Sequence, residues 1–310
     1  MARPFVSIVM PAYNCGETIT ASIASVQSQT CADWELIIID DGSSDQTADL
    51  VRALAREDSR LRLFTQPNSG PSRARNNGIR LANGQYVAFL DADDLWAPER
   101  LRGMLNAFDA NPAAGVLFSR VRFVDETGSE CGRLSDHVSQ LTAGHLLGEN
   151  PVCSTSNIIC KAEVLSWVGY FSPDLNFAED QEWLLRVALD GKWTICGVDR
   201  EWLFYRTRPD SQSTDLKAMR SGWMTMVQRA HRFGELSPDT IRHAYGPFHR
   251  YLARRALRMG KPVSAAGFLA QACLTDPGLI IREPRRTLLT ALGAAALFIP
   301  STTIRELVAK

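Results

Sequence analysis

The stretch "WELIIIDDGSSDQT", residues 34–47, decides the fold. Leu36, Ile37, Ile38 and Ile39 follow one another without a polar break. A half-exposed strand alternates apolar with polar residues, whereas an unbroken isoleucine-rich run suits a parallel strand buried on both faces. The chain then turns abruptly polar, from Asp40 through Asp45. Asp45 is placed to cap a helix that carries Val51 and Leu54 on one face.

Working outward, the same phrase recurs. "FVSIVM" (5–10) reads as a strand, ends in "PAYN" (11–14), and leads to a helix with Ile19, Ile23 and Val26 in register. "LRLF" (61–64) runs into the turn-rich "TQPNSGPS" (65–72) and a helix that stops at Asn83-Gly84. "YVAFL" (86–90) delivers "DADD" (91–94), and Pro98 opens a helix with Leu101, Leu105 and Phe108 in register. Strand–helix alternation of this kind predicts an α/β class fold, an α/β/α sandwich with a mostly parallel central sheet. Ligands of such sheets bind beyond the carboxyl ends of the strands, so the polar clusters are expected on one edge.

Later segments are less regular. Residues 126–150 have weak periodicity and read as loop with short helical pieces. "TSNIICKAEVLSWVGYF" (155–171) reads as a strand and a short helix, and "FAEDQEWLLRVALDGKWTICGV" (177–198) as a helix ending at Gly191 and another strand. Past about residue 215 the strand signals stop, and 251–278 suggests a helical hairpin with a faint likeness to one tetratricopeptide unit. The expected division is a domain over 1–215, with halves of about 1–125 and 126–215, and a helical region over 216–310.

Bulk properties exclude several classes. Lys+Arg and Asp+Glu both total 34 in 310 residues, so no basic field supports a nucleic-acid partner. The seven cysteines are scattered with no CxxC, which argues for reduced thiols in a cytoplasmic protein and against structural zinc. No HExxH, no GxSxG and no GxGxxG after the first strand appear. The N-terminus reads as a first strand, not a signal peptide. "TLLTALGAAALFIP" (287–300) is too short to span a bilayer, and Arg282, Arg285 and Arg286 precede it. It fits a packing helix first, an interfacial membrane anchor second, and a self-association surface third.

Chemistry concentrates in four places. In "DADD", Asp91, Asp93 and Asp94 repel one another, so a metal ion, an arginine or water must sit among them. Two carboxylates at i and i+2 on a strand tip can serve one hard divalent cation; the plain alternative is a solvated turn with Asp94 as a cap. A DxD phosphatase wants Thr or Val where Leu95 stands, and places its motif on the first strand. Asp41 sits at a strand tip, where its carboxylate suits a nucleobase or ribose better than a cap. Arg73 and Arg75 at a helix start, after Gly70 and Pro71, make a phosphate cradle, although surface helices also carry arginines. Glu179, Asp180 and Glu182 in a first helical turn complement the helix dipole, but with Trp183 beside them they form a second acidic site far along the chain.

Six segments in this order resemble family 2 glycosyltransferases of GT-A fold: "SIVMPAYN", "SVQSQT", "WELIIIDDGSSDQT", "NSGPSRARNNGI", "GQYVAFLDADDLW" and "EDQEWLLRV". The likeness covers about residues 5–210. It implies that Pro11, Ala12, Tyr13 and Asn14 line a nucleoside pocket and that Asp41 bonds the base. It implies further that Gly70, Pro71 and Arg75 lie near the nucleotide, and that Asp91, Ala92 and Asp93 form the DxD motif, with Asp93 the direct ligand of Mg²⁺ or Mn²⁺. Asp180 then resembles the general base, with Glu179 and Trp183 on the acceptor side. The implied reaction is inverting transfer of one sugar from a UDP- or dTDP-type donor to a glycan or lipid-linked acceptor. Processive relatives carry a QxxRW motif that is missing here. A catalytically silent nucleotide-sugar binder on the same fold is the alternative. The C-terminal helices leave room for peripheral contact at the inner face of a membrane and for a homodimer.

Overall fold

The computed structural model describes residues 4–175, 177–207, 215–233 and 236–296. The chain divides into two compact units, Met1–Thr142 with Pro151–Pro209, and Ala143–Asn150 with Asp210–Lys310. Residues 143–150, expected inside the first domain, thus belong with the helical unit.

The first unit opens with β1 (Val6–Ala12), α1 (Ile19–Gln27), β2 (Trp34–Asp40), α2 (Thr47–Glu57), β3 (Leu61–Thr65), α3 (Pro71–Leu81) and β4 (Tyr86–Phe89). It continues through β5 (Leu95–Trp96), α4 (Arg100–Ala110), β6 (Ala114–Val124), β7 (Glu130–Leu134) and β8 (Gln140–Leu141). The helix α5 (Ala143–Leu147) belongs to the second unit, and the first resumes with β9 (Ile159–Lys161), α6 (Ala162–Val168), α7 (Glu179–Asp190) and β10 (Thr194–Arg206). One sheet runs in the order β3-β2-β1-β4-β9-β6-β10-β5. The β3-β2-β1-β4 half is parallel, as is the long β6–β10 ladder, while β9 lies antiparallel between β4 and β6.

The isoleucine run explains the layers. Leu36 and Ile38 join the cluster that holds Ile19, Val26 and Val51 from α1 and α2 and Leu101 and Phe108 from α4. Ile37 and Ile39 point the other way, onto Ala74 of α3. The strand is therefore buried on both faces. Helix α3 lies so close that a Cβ on Gly78 would meet Val9 at 2.4 Å, which requires glycine there. In the 126–150 stretch the expected loop is partly a strand: β7 turns back on β6, its exposed and half-exposed side chains hiding the alternation that marks a strand.

The second unit contains α5, α8 (Leu216–Phe233), α9 (Pro238–Arg258), α10 (Pro262–Thr275), α11 (Leu279–Arg282) and α12 (Pro284–Ala296). Trp223 stacks on Phe248 at 4.1 Å and donates its indole N–H to the Leu147 carbonyl at 2.8 Å. Arg250 is 1% exposed and bonds Glu283 at 2.8 Å. No helix among the described residues is long and apolar enough to cross a membrane.

Candidate active site

The carboxyl edge of the parallel half gathers the polar clusters, and its loops are stitched to one another. Asn14, at a positive φ of 47°, donates its amide to the Ser43 hydroxyl at 3.0 Å and accepts the Ser44 amide on Oδ1 at 2.8 Å. Asp45 accepts the Gly16 amide at 3.0 Å and the Thr47 amide at 2.9 Å, so it ties the β1 loop to the start of α2, although the N-cap position itself falls to Gln46. Pro11 and the buried Ala12 close β1, and Tyr13 is left 54% exposed on the rim. Burial pushes the neighbouring Cys15 thiol up to about 11, so it offers no thiolate for covalent chemistry.

Asp41 is buried and already engaged. Its Oδ1 accepts Gln66 Nε2 at 2.7 Å and the Ser69 amide at 2.8 Å, and Oδ2 accepts the Gly70 amide at 2.8 Å. A carboxylate has about four acceptor positions, and three here hold the loop that delivers Gly70. Gly70 has φ 89°, a left-handed conformation, and Pro71 begins α3 beside it.

Arg75 is where the structure corrects the sequence. The reading as a phosphate-facing cation fails because the side chain is 4% exposed and turned inward. It donates to Asp91 Oδ1 at 2.6 Å and to Glu179 Oε1 at 2.9 Å. Burial opposes its charge, but Asp91, Glu179 and Asp180 outweigh that cost and hold the guanidinium ionised well above its ordinary value. So the positive partner of Asp91 comes from the chain itself. Arg73, two residues earlier and on another face of the helix, is the exposed arginine of this helix start.

The three acids of "DADD" separate clearly. Asp91 is paired with Arg75 and donates its backbone amide to the Ser156 hydroxyl at 3.0 Å. Ala92 is buried between the two motif acids. Asp94 is 1% exposed, and its Oδ1 accepts the Arg206 amide at 3.0 Å. Burial, then the charges of Asp93 and Asp91, hold its carboxyl well above the usual range. Asp93 remains half-exposed, with its carbonyl accepting Arg206 Nε at 2.8 Å. Behind the motif, fully buried Arg100 of α4 donates to Ser119 Oγ and to the Asn157 carbonyl, each at 2.8 Å. Asn157 in turn exchanges two bonds with Ser119, accepting its amide at 3.0 Å and donating to its carbonyl at 2.7 Å.

Helix α7 brings the second acidic site. Ala178, at φ 61°, precedes it in a left-handed conformation that alanine adopts only under constraint. Asp180 is half-exposed on the first turn, its Oδ1 accepting the Gln181 amide at 2.7 Å. Trp183 departs from its acceptor-side reading: it is fully buried, donates to the Gly169 carbonyl at 2.8 Å, and packs on Phe171 at 5.7 Å. It offers an acceptor no face, and the run of apolar residues from Trp183 to Leu185 was the signal for a core position. Glu182, the third acid, pairs with Arg186 at 3.0 Å. Asn76 of α3 makes reciprocal bonds with the Phe171 backbone at 2.8 and 3.1 Å, so α3 holds the segment after α6, while its Arg75 holds α7 through Glu179.

A cation here would have few protein donors. Among the described residues no group of three or more His, Cys, Asp or Glu is placed to hold a metal. Asp93, with the second carboxylate oxygen of Asp91, would suit a hard Mg²⁺ or Mn²⁺ ion that takes its other ligands from phosphate and water.

Residues 7–167 match the family model described as Glycosyl transferase family 2. Over 97 residues, 31% of this chain and 38% of the other, the sequence is 47% identical to a UDP-Glc:alpha-D-GlcNAc-diphosphoundecaprenol beta-1,3-glucosyltransferase of Escherichia coli. It is 28% identical over 233 residues to a Bacillus subtilis protein named for teichuronic acid biosynthesis, covering 74% of this chain and 90% of that one. The chain spans 29–43% of the length of five other curated relatives, the E. coli protein among them. Among solved structures, S. aureus TarS with UDP-GlcNAc has TM-score 0.56 and 21% identity, over 94% of this chain and 80% of that one. A mannosyltransferase from Pyrobaculum calidifontis with GDP-Man and Mn²⁺ has TM-score 0.60 and 21% identity, over 99% and 86%. The fold is therefore GT-A, as the resemblance of the six segments implied.

Proposed function

The chain belongs to glycosyl transferase family 2, and on that footing we propose that it moves one sugar from a UDP- or dTDP-type donor onto a hydroxyl of a glycan or lipid-linked acceptor. The product would be surface polysaccharide or a related glycan. One observation carries this reading: a single buried guanidinium joins Asp91, at the DxD strand tip, to Glu179, beside Asp180, at 2.6 and 2.9 Å. Arg75 and Glu179 lie 104 residues apart in the chain, and on this reading their bridge would hold the leaving-group site and the proton-accepting site side by side.

The donor nucleoside takes the rim of Tyr13 and Asn14 and the loop that Asp41 braces, and the exposed Arg73 meets its phosphates. Asp93 with Asp91 would hold Mg²⁺ or Mn²⁺, which when bound supplies charge neutralisation for the departing diphosphate. Asp180 takes the proton of the acceptor hydroxyl as its oxygen bonds to the anomeric carbon. The bond from that carbon to the diphosphate oxygen breaks on the opposite face, and the diphosphate leaves with the electron pair, so configuration inverts. The uridine donors named for the E. coli and S. aureus proteins, and the diphosphoundecaprenol acceptor of the former, support the substrate classes.

The test is release of nucleoside diphosphate across a panel of nucleotide sugars, with and without Mn²⁺. Asp93→Ala and Asp180→Asn are each expected to lower transfer about a thousandfold without a change in circular dichroism. Full activity in both variants would sink these roles, and phosphate release in place of diphosphate would sink the reaction.

A further inference from the structure

Seven of the ten exposed large apolar side chains among the described residues lie on α10, α11 and α12. Helix α12 is inverted. It buries Thr287, Thr290, Gly293 and Ala294, yet leaves Leu288 60%, Leu289 69% and Leu292 56% exposed. The threonines tolerate the interior because each hydroxyl bonds its own helix, Thr287 to the Glu283 carbonyl at 2.9 Å and Thr290 to the Arg286 carbonyl at 2.7 Å. With 3.6 residues per turn, positions 285, 288, 289 and 292 share one arc of about 100°. The preceding α11 adds Ile280, 51% exposed, and Ile281, 84% exposed.

Charge accompanies this face. Residues 279–296 hold Arg282, Arg285 and Arg286 against Glu283; Arg282 pairs with Asp276, and Glu283 is shared between Arg250 at 2.8 Å and Arg286 at 3.7 Å. Arg285 lies within the leucine arc and makes no ion pair among the described residues. Leucines and arginines on one exposed helix face form the pattern of interfacial helices, whose apolar side enters the acyl boundary while cations meet lipid phosphates. A second copy is a poorer occupant, since a twofold contact would set this basic face against itself.

We propose that the α11–α12 face docks on an anionic lipid surface, with Leu288, Leu289 and Leu292 in the interface and Arg285 and Arg286 at the headgroups. On this proposal α12 serves the first two roles expected from sequence at once: it packs with its threonines and small residues and keeps its leucines for another phase. The inference concerns where the chain works and stands apart from the donor reading, which diphosphate release in solution tests separately.

The experiment is sedimentation of the full chain with vesicles of equal phosphatidylglycerol and phosphatidylcholine, compared with phosphatidylcholine alone. The chain is expected to pellet with the anionic vesicles and to be released by added salt. Leu288→Gln/Leu289→Gln/Leu292→Gln should weaken partitioning at least about a hundredfold, and Arg285→Gln about fivefold. The proposal is overturned if the wild-type chain stays in the supernatant, or if the triple variant pellets as well as wild type. It is equally overturned if light scattering shows a wild-type dimer that the triple variant dissolves while vesicles capture neither.

Discussion

The strand-tip edge of the sheet and the outer face of α12 break the ordinary rule of burial in opposite directions. At the edge, charge goes inside: Arg75, Arg100, Asp41 and Asp94 are each no more than 4% exposed. On α12, hydrocarbon goes outside and threonine goes in. Exposed leucines scattered singly mean little, but a contiguous set asks for a partner. Buried charges are costly, so they persist where they are matched and hydrogen-bonded. The difference teaches that most of the first region's polar groups find partners within the chain, whereas the leucines of the second ask for a partner outside it.

The comparison breaks most readily at Arg75. Arg75→Met should cost about 3 kcal/mol in urea unfolding, because Asp91 and Glu179 lose their shared cation. Arg75→Lys should recover only part of this, since an ammonium cannot span two carboxylates as a planar fork does. If Arg75→Met unfolds like wild type, the edge is not self-completed. Trp183→Phe comes next, with about 1 kcal/mol lost as the Gly169 carbonyl loses its donor, and with an unchanged acceptor KM; a raised KM would return this ring to the acceptor side.

Asp94→Asn sharpens the comparison by pH. Its carboxyl is raised by burial and by Asp93 and Asp91, so the folded chain binds that proton more tightly than the unfolded chain does. Stability from this group is then complete at low pH and is lost as pH climbs past the ordinary carboxylate value. Asparagine should therefore raise Tm by a few degrees at pH 7 and leave it unchanged near pH ~2, where both states are protonated. The smallest effect belongs to α12: Leu288→Gln, Leu289→Gln and Leu292→Gln should each shift unfolding by less than about 0.5 kcal/mol. A large loss would mean that these leucines pack after all.

The parallel half was legible because each strand is an apolar run ended by a polar cluster, a signal that needs no distant information. β9 was half-legible, since "NIIC" announces a strand, but nothing local says that three residues insert antiparallel between β4 and β6. At the site, Asp93 and Asp180 stood out by residue type and position. The role of Arg75 did not, because its partners lie 16 and 104 residues away and an arginine at a helix start usually faces solvent. Asp41 was found by its place at a strand tip, but its engagement with Ser69 and Gly70 depends on how a loop folds back.

The reciprocal amide bonds between Ser119 and Asn157 have a consequence for the length of chain between them. They close a 38-residue excursion of the chain at its base, directly behind the DxD motif. Because closure entropy grows only logarithmically, doubling that excursion costs roughly 0.6 kcal/mol. Length changes between β6 and Ser156 are therefore cheap in closure entropy, provided that Ser156 stays to accept the Asp91 amide.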